Sequence, residues 1–79
     1  MIIYTKHILE RIKQRNLNLQ DINDIINDQN LEGILDKNNN FIKQRIIKGY
    51  LLRVIYRLEN ENIIIISAYK TSKIDKYFN

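Results

Sequence analysis

The sequence L-L-R-V-I-Y-R-L-E-N-E-N-I-I-I-I-S-A-Y, residues 51–69, decides the fold. Residues 51–58 and 63–69 are rich in aliphatic and β-branched side chains, which is typical of strands that are buried on at least one face. Between them lies a short polar loop centred on Asn60 and Glu61. Two strands joined by so short a loop are predicted to pair as an antiparallel hairpin.

The alternation along this hairpin predicts which side chains share a face of the sheet. The apolar set of the first strand is expected to face a layer of helices, and Arg53 and Arg57 then point to the opposite, open face. A regular register carries this alternation into the second strand. The members predicted for the helix side are Leu52, Val54, Tyr56, Leu58, Ile63, Ile65, Ser67 and Tyr69, and those predicted for the open face include Ile64, Ile66, Ala68 and Lys70.

Residues 41–48 form a further strand candidate, followed by a tight turn at Gly49. A two-residue turn would place Arg45 on the helix side, whereas a three-residue turn, residues 48–50, would place it opposite Arg53. The three-residue turn is favoured, because it sends Ile42 and Ile46 to the core and avoids burying an unpaired arginine. A slip of one residue would reverse the whole set.

The N-terminal half predicts two helices. The first begins after the N-cap Thr5 and ends near Arg15, and the second begins after the N-cap Asn18 and ends near Asn30. Each carries an apolar stripe at helical spacing, formed by Ile8, Leu9 and Ile12 in the first and by Leu19, Ile22, Ile25 and Ile26 in the second.

Shorter segments complete the predicted organisation. Residues 1–4 and 31–37 are compatible with short strands, residues 38–40 with a turn, and residues 72–79 with a helical turn anchored by Ile74, Tyr77 and Phe78. Two helices followed by a meander predict one α+β domain over residues 1–79, with two N-terminal helices packed on a three- to four-stranded antiparallel sheet.

The composition limits the function classes. The chain has 79 residues, no cysteine and one histidine, which excludes a disulfide framework, a cysteine-based zinc site and a histidine-rich metal cluster. Thirteen basic residues against nine acidic ones give a net charge of +4, which weakly favours polyanionic partners. No apolar run has the length of a membrane span or of a signal peptide, so we expect a cytoplasmic protein without a membrane partner.

Two groups of side chains suggest phosphate chemistry. The first is the open sheet face, predicted to carry Lys43, Arg45, Arg53, Arg57 and Lys70. An ordinary solvated face is the simpler interpretation. However, like charges opposite one another on a sheet repel, and bound phosphates would relieve that repulsion.

The second group is the first helix, where His7, Arg11 and Arg15 follow i, i+4, i+8 spacing. An imidazole that exchanges protons near neutral pH, beside guanidinium groups that hold a phosphate, is a minimal arrangement for RNA cleavage. The alternative is a surface histidine, with both arginines paired to aspartates of the second helix, namely Asp21, Asp24 or Asp28. The end of the last strand is equally open: Tyr69, Lys70, Thr71 and Ser72 either meet a phosphate or belong to the core and the cap of the tail.

The chain resembles a known family at several places: T-K-H-I-L-E-R-I-K-Q-R-N-L at 5–17, D-I at 21–22, L-R-V-I-Y at 52–56 and I-I-S-A-Y-K-T-S-K-I-D-K-Y-F at 65–78. This is the domain of unknown function numbered 4258, found in small prokaryotic and phage proteins, and it is similar to the RelE/ParE toxin superfamily. Many superfamily members are ribonucleases that cut messenger RNA, often on the ribosome. Others poison gyrase without cutting RNA, and most are held inactive by an antitoxin.

The resemblance implies a RelE-like fold and a metal-independent endoribonuclease toxin without a cofactor, whose partners are RNA and an antitoxin protein. The expected catalytic residues are His7 as acid or base, Arg11 and Arg53 on the scissile phosphate, and Tyr69 as an orienting or proton-donating group. The residues expected to bind RNA are Arg15, Lys43, Arg45, Arg57, Lys70, Thr71 and Ser72. The alternative is a non-catalytic binding protein: a ParE-like or phage-encoded inhibitor of a host protein, or a nucleic-acid-binding module.

Overall fold

A computed structural model describes residues 1–77 as a mixed sheet with helices packed against it. The elements are β1 (Ile2–Ile3), α1 (Lys6–Gln14), α2 (Leu19–Asn27), β2 (Ile34–Leu35), β3 (Phe41–Ile47), β4 (Tyr50–Glu59), β5 (Asn62–Thr71) and α3 (Ile74–Tyr77). Phe78, predicted as an anchor of the tail, lies outside the described residues.

The five strands lie in the order β1-β5-β4-β3-β2. All neighbours are antiparallel except β1, which runs parallel to β5 with Ile2 beside Ile63. The α+β prediction with helices on a sheet is therefore confirmed, but the prediction of three to four antiparallel strands is wrong. The difference arises because the short segments at the two edges both pair, and one of them pairs in parallel.

The two N-terminal helices begin at the predicted N-caps. The first ends near Arg15, as predicted, whereas the second ends at Asn27, before the predicted end near Asn30. Thr5 Oγ1 accepts the Ile8 N–H at 3.2 Å, and Asn18 Oδ1 accepts the Gln20 N–H at 2.8 Å. The end of α1 is marked by Asn16, whose φ of 55° lies in the left-handed region, and by the Leu17 N–H, which donates to the Ile12 carbonyl at 2.9 Å. This pair of features defines a Schellman motif, which turns the chain directly into α2.

The core lies between the helices and one face of the sheet. Its buried side chains come from both layers and are Ile8, Ile12, Ile22, Ile25 and Ile26 from the helices and Leu52, Val54, Tyr56, Ile65 and Ala68 from the sheet. Within residues 1–77, no helix combines the length and the apolar character needed to cross a membrane.

A two-residue turn fixes the register of β3 on β4. Lys48 and Gly49 have φ values of 49° and 86°, and positive values at both central positions define the type I′ turn that suits a tight hairpin. Arg45 therefore lies opposite Leu52 on the helix side, and Gln44 lies opposite Arg53 on the open face. The three-residue turn predicted from the apolar pattern is wrong, because the inward Arg45 finds an ionic partner.

A β-bulge changes the faces of β5. Ile55 lies opposite Ser67 while Tyr56 lies opposite Ile65, so Ile66 is an extra residue on β5. The hairpin loop at Asn60–Glu61 and the pairing of Leu58 with Ile63 agree with the prediction. Beyond the bulge, the predicted faces are wrong: Ala68 and Lys70 lie on the helix side, and Ser67, Tyr69 and Thr71 lie on the open face. The bulge lets both Ile65 and Ala68 enter the core, which strict alternation forbids.

The core predicts a large difference between two isoleucine truncations. Ile25→Ala empties a position that is 0% exposed and should lower the free energy of unfolding by about 2–5 kcal/mol. Ile34→Ala, at an edge position that is 58% exposed, should change it by less than about 0.5 kcal/mol. Urea denaturation of both variants measures this difference, and equal losses would contradict the assignment of the core.

Candidate functional site

Three adjacent strands place side chains around the Arg53 guanidinium on the open face. Arg53 lies between Gln44 on β3 and Tyr69 on β5 in the pairing register. Its Nη1 donates to the Tyr69 hydroxyl at 2.6 Å and its Nε donates to Gln44 Oε1 at 2.9 Å. We call Arg53, Gln44, Tyr69 and Tyr77 the Arg53 cluster.

The short helix α3 brings the fourth member of the cluster back over the sheet. The Tyr77 ring centroid lies 3.9 Å from the Arg53 Cζ, and Gln44 Nε2 donates to the Tyr77 carbonyl at 3.3 Å. A cation over an aromatic face is attracted by the ring quadrupole, so the contact holds the guanidinium plane in a fixed orientation. The Arg53 cluster therefore depends on three backbone features, namely the bulge in β5, the turn at Lys48-Gly49 and the short helix α3.

The partners of Arg53 within residues 1–77 are all electrically neutral, unlike those of two other arginines of the sheet. Arg45 pairs with Asp28 at 2.5 Å and Arg57 with Glu59 at 3.1 Å, whereas no carboxylate of the described residues pairs with Arg53. The Arg53 side chain is half-buried. A half-buried guanidinium that contacts only hydroxyl, amide and ring groups has no neighbouring negative charge to neutralise it. Its positive charge therefore remains available to attract an external anion.

The two tyrosines of the cluster differ in acidity. Burial raises the pKa of Tyr69, and the hydrogen bond with Tyr77 raises it further, against the lowering effect of Arg53. That same hydrogen bond lowers the pKa of Tyr77, assisted by the charges of Lys76 and Arg53. Tyr69 therefore holds its proton more strongly than Tyr77 does, and a pair with separated pKa values is a common arrangement for an acid and a base.

Lys43 and Arg45 do not lie on the open face, so their predicted positions are wrong. Lys43 Nζ donates to the carbonyls of Ile26 and Asp28 at 3.0 and 3.2 Å, at the C-terminal end of α2, where carbonyls lack partners within the helix. A backbone hydrogen bond from Asn30, followed by the side-chain bond from Arg45, lowers the pKa of Asp28. Both cations thus attach the C-terminal end of α2 to the sheet.

The other residues predicted to bind RNA have varied surroundings. Arg15 Nη1 donates to the Ala68 carbonyl at 2.8 Å, which ties α1 to β5. The Lys70 Nζ lies 5.1 Å from the Tyr50 ring centroid, and Thr71 Oγ1 accepts the Lys73 N–H at 3.1 Å. Ser72 lines a cavity of about 540 Å³ together with residues 73–76.

His7 and Arg11 lie on the exposed part of α1. This helix packs through Ile8 and Ile12 against the sheet face that carries Val54, whereas Arg53 lies on the opposite face. The sheet therefore separates the imidazole from the Arg53 cluster. A single site that combines His7 with Arg53 and Tyr69, as the sequence suggested, is not formed.

Sequence reasoning missed Gln44 and the position of Tyr77. The Lys48-Gly49 pair was a usable signal, because a two-residue turn there puts Gln44 opposite Arg53. Tyr77 was predicted as an anchor of the tail, but no pattern indicated which surface it would cover.

Within the described part of the chain, no group of three or more histidine, aspartate or glutamate side chains is placed to hold a metal ion.

The fold and the site define a small α+β protein with α1 and α2 on one sheet face and a cationic, aromatic cluster on the other. A sequence model of the family described as "Domain of unknown function (DUF4258)" matches residues 4–70, and the chain belongs to this family. No curated protein and no solved structure matches the chain. The matched region contains Gln44, Arg53 and Tyr69, whereas Tyr77 follows it.

The separation of the tyrosine pKa values gives a testable result. Tyr69→Phe removes the hydrogen bond that lowers the pKa of Tyr77, so that pKa should rise toward its ordinary value. Carbon NMR of the tyrosine rings during an alkaline titration measures it residue by residue. Tyr4→Phe is the control, since Tyr4 bonds Asn23 and belongs to the helix side. An unchanged Tyr77 titration in Tyr69→Phe would contradict the described cluster.

Proposed function

We propose that this protein is a RelE-like toxin, a metal-independent endoribonuclease that binds and cleaves RNA at the Arg53 cluster. The observation that carries the proposal is the half-buried Arg53 guanidinium, held by neutral groups and without a paired carboxylate in residues 1–77. The net charge of +4 and the sheet face left uncovered by α1 and α2 support an extended polyanion as its ligand.

Phosphate binding follows from the hydrogen bonds that Arg53 does not use. The guanidinium carries more N–H groups than its bonds to Gln44 and Tyr69 occupy. The remaining ones are available to the non-bridging oxygens of a phosphodiester, which match the fork of an arginine. Because the guanidinium is half-buried, such a charge-assisted bond is less screened by solvent than one on an open surface.

The tyrosine pair supplies the proton transfers of strand cleavage. The ribose 2′-oxygen attacks phosphorus, the bond from phosphorus to the 5′-oxygen breaks, and a 2′,3′-cyclic phosphate forms. Tyr77, with the lowered pKa, takes the 2′-hydroxyl proton, and Tyr69, with the raised pKa, protonates the 5′-oxygen. A proton then returns from Tyr77 to Tyr69 and restores the starting state, while Arg53 stabilises the charge on phosphorus.

The proposal changes the roles that the sequence suggested for the other cations. Arg15, Lys43 and Arg45 hold the helices to the sheet. In this proposal His7 and Arg11 take no part in the reaction. A toxin of this class implies an antitoxin partner and a ribosome-bound substrate, and both belong to the proposal.

Cleavage of RNA in the presence of EDTA tests the function. Arg53→Ala and Tyr69→Phe should each lower the cleavage rate by roughly 100-fold, because Arg53 stabilises the charge on phosphorus and Tyr69 protonates the leaving oxygen. Arg57→Ala is the matched control, since Arg57 lies on the same strand and face but is exposed and paired with Glu59. His7→Ala should cleave RNA at close to the wild-type rate.

Two outcomes would contradict this assignment. One is a large loss in His7→Ala with full activity in Arg53→Ala, which would move the reaction to α1. The other is a cleavage rate that falls as the pH rises from neutral toward the pKa of Tyr77. The proposed mechanism requires the opposite trend, because more Tyr77 becomes ionised and able to accept a proton.

A second function is favoured by one specific observation: the Arg53 cluster contains no imidazole and no carboxylate. In this second function the Arg53 cluster would bind a phosphate or an acidic protein without cleaving it. This second function would be established if the wild type binds RNA tightly and leaves it intact, and if Arg53→Ala no longer binds it. Growth of bacteria that express the wild type or an Arg53→Ala, Tyr69→Phe double variant shows whether toxicity depends on the Arg53 cluster.

A further inference from the structure

Gln44 is the member of the cluster that the proposed chemistry does not use. Its amide nevertheless makes two bonds there: Oε1 accepts from Arg53 Nε at 2.9 Å, and Nε2 donates to the Tyr77 carbonyl at 3.3 Å. One side chain therefore orients the guanidinium and also attaches α3 to the sheet.

The strand delivers Gln44 to this position rigidly. Its sequence neighbours Lys43 and Arg45 point to the opposite face, where both bind the C-terminal end of α2. The type I′ turn at Lys48-Gly49 fixes the same register from the other end of the hairpin. The amide thus cannot move along β3 without breaking these contacts.

The neutrality of this acceptor has an electrostatic consequence. A carboxylate in the same place would accept the same Arg53 Nε–H, but it would also cancel the charge of the guanidinium. The amide gives Arg53 a fixed orientation and leaves its charge uncompensated. The pairs of Arg45 with Asp28 and of Arg57 with Glu59 show the other solution in the same sheet.

We propose that Gln44 is a positioning residue whose uncharged amide keeps the Arg53 site selective for an oxyanion, and specifically for the phosphodiester of RNA. This inference rests on the proposed function, because it takes Arg53 as the phosphate-binding group. It adds that the site depends on the absence of charge at position 44 and not only on the hydrogen bonds made there.

Two substitutions separate charge from hydrogen bonding. Gln44→Glu keeps the acceptor for Arg53 and adds a negative charge, whereas Gln44→Met keeps the approximate shape and loses both hydrogen bonds. Charge selectivity predicts that affinity for RNA falls in the order wild type, Gln44→Met, Gln44→Glu. A merely structural role predicts the reverse order for the two variants, because Gln44→Glu retains one of the bonds.

The probe is a fluorescently labelled single-stranded RNA oligomer with 2′-O-methyl groups, which the proposed reaction cannot cleave, and binding is measured by anisotropy with the full chain. Gln44→Glu should bind roughly tenfold or more weakly than the wild type, which corresponds to the loss of one charge-assisted contact. Gln14→Glu is the matched control, because it makes the same charge change at an exposed position on α1, on the other side of the sheet. It should bind almost as the wild type does. Thermal unfolding confirms that each variant is folded.

Arg53→Ala distinguishes a failure of this inference from a failure of the proposed function. If Arg53→Ala weakens RNA binding but Gln44→Glu binds as well as Gln44→Met or better, the role of Gln44 is overturned and the site stands. If Arg53→Ala binds RNA as the wild type does, both the role of Gln44 and the proposed site are overturned.

NMR of the Arg53 Nε–H during titration with inorganic phosphate gives a direct second readout. The Nε–H signal should shift in the wild type but not in Gln44→Glu. An unresponsive wild-type signal would also overturn the inference.

Discussion

The register of the central strand β4 with its two neighbours is the constraint on which the site depends. On one side, the type I′ turn at Lys48-Gly49 places Gln44 opposite Arg53. On the other, the bulge at Ile66 turns Tyr69 to the same face. A slip of one residue on either side would exchange these side chains for their neighbours on the helix side. The Arg53 cluster therefore follows from backbone pairing as much as from the chemistry of its residues.

The distribution of cations over the two sheet faces has a physical reason. The C-terminal end of α2 presents backbone carbonyls and the Asp28 carboxylate, so Lys43 and Arg45 gain hydrogen bonds and an ion pair by pointing inward. This removes them from the open face and relieves the repulsion expected if all the predicted cations lay together. Arg53 is left with neutral partners in residues 1–77, and the proposed anion-binding position rests on this feature.

The sequence predicts the parts of this fold that depend on local signals. The caps at Thr5 and Asn18 and the loop at Asn60–Glu61 each follow from residues close in the chain, and the structure confirms them. The bulge was not predictable, because a run of four isoleucines carries no mark of the residue that leaves the alternation. The inward Arg45 was missed for another reason: its partner Asp28 lies on a different element, and the ion pair between them offsets the cost of turning a partly exposed arginine toward the helices.

The central claim is that the open sheet face, and not α1, is the surface that meets RNA. The most direct measurement is the change of backbone and side-chain NMR shifts on addition of a single-stranded RNA oligomer to isotope-labelled protein. The account predicts the largest changes at Arg53, Tyr69 and Tyr77, with small changes along α1. Large changes centred on His7 and Arg11, with the Arg53 cluster unaffected, would contradict it.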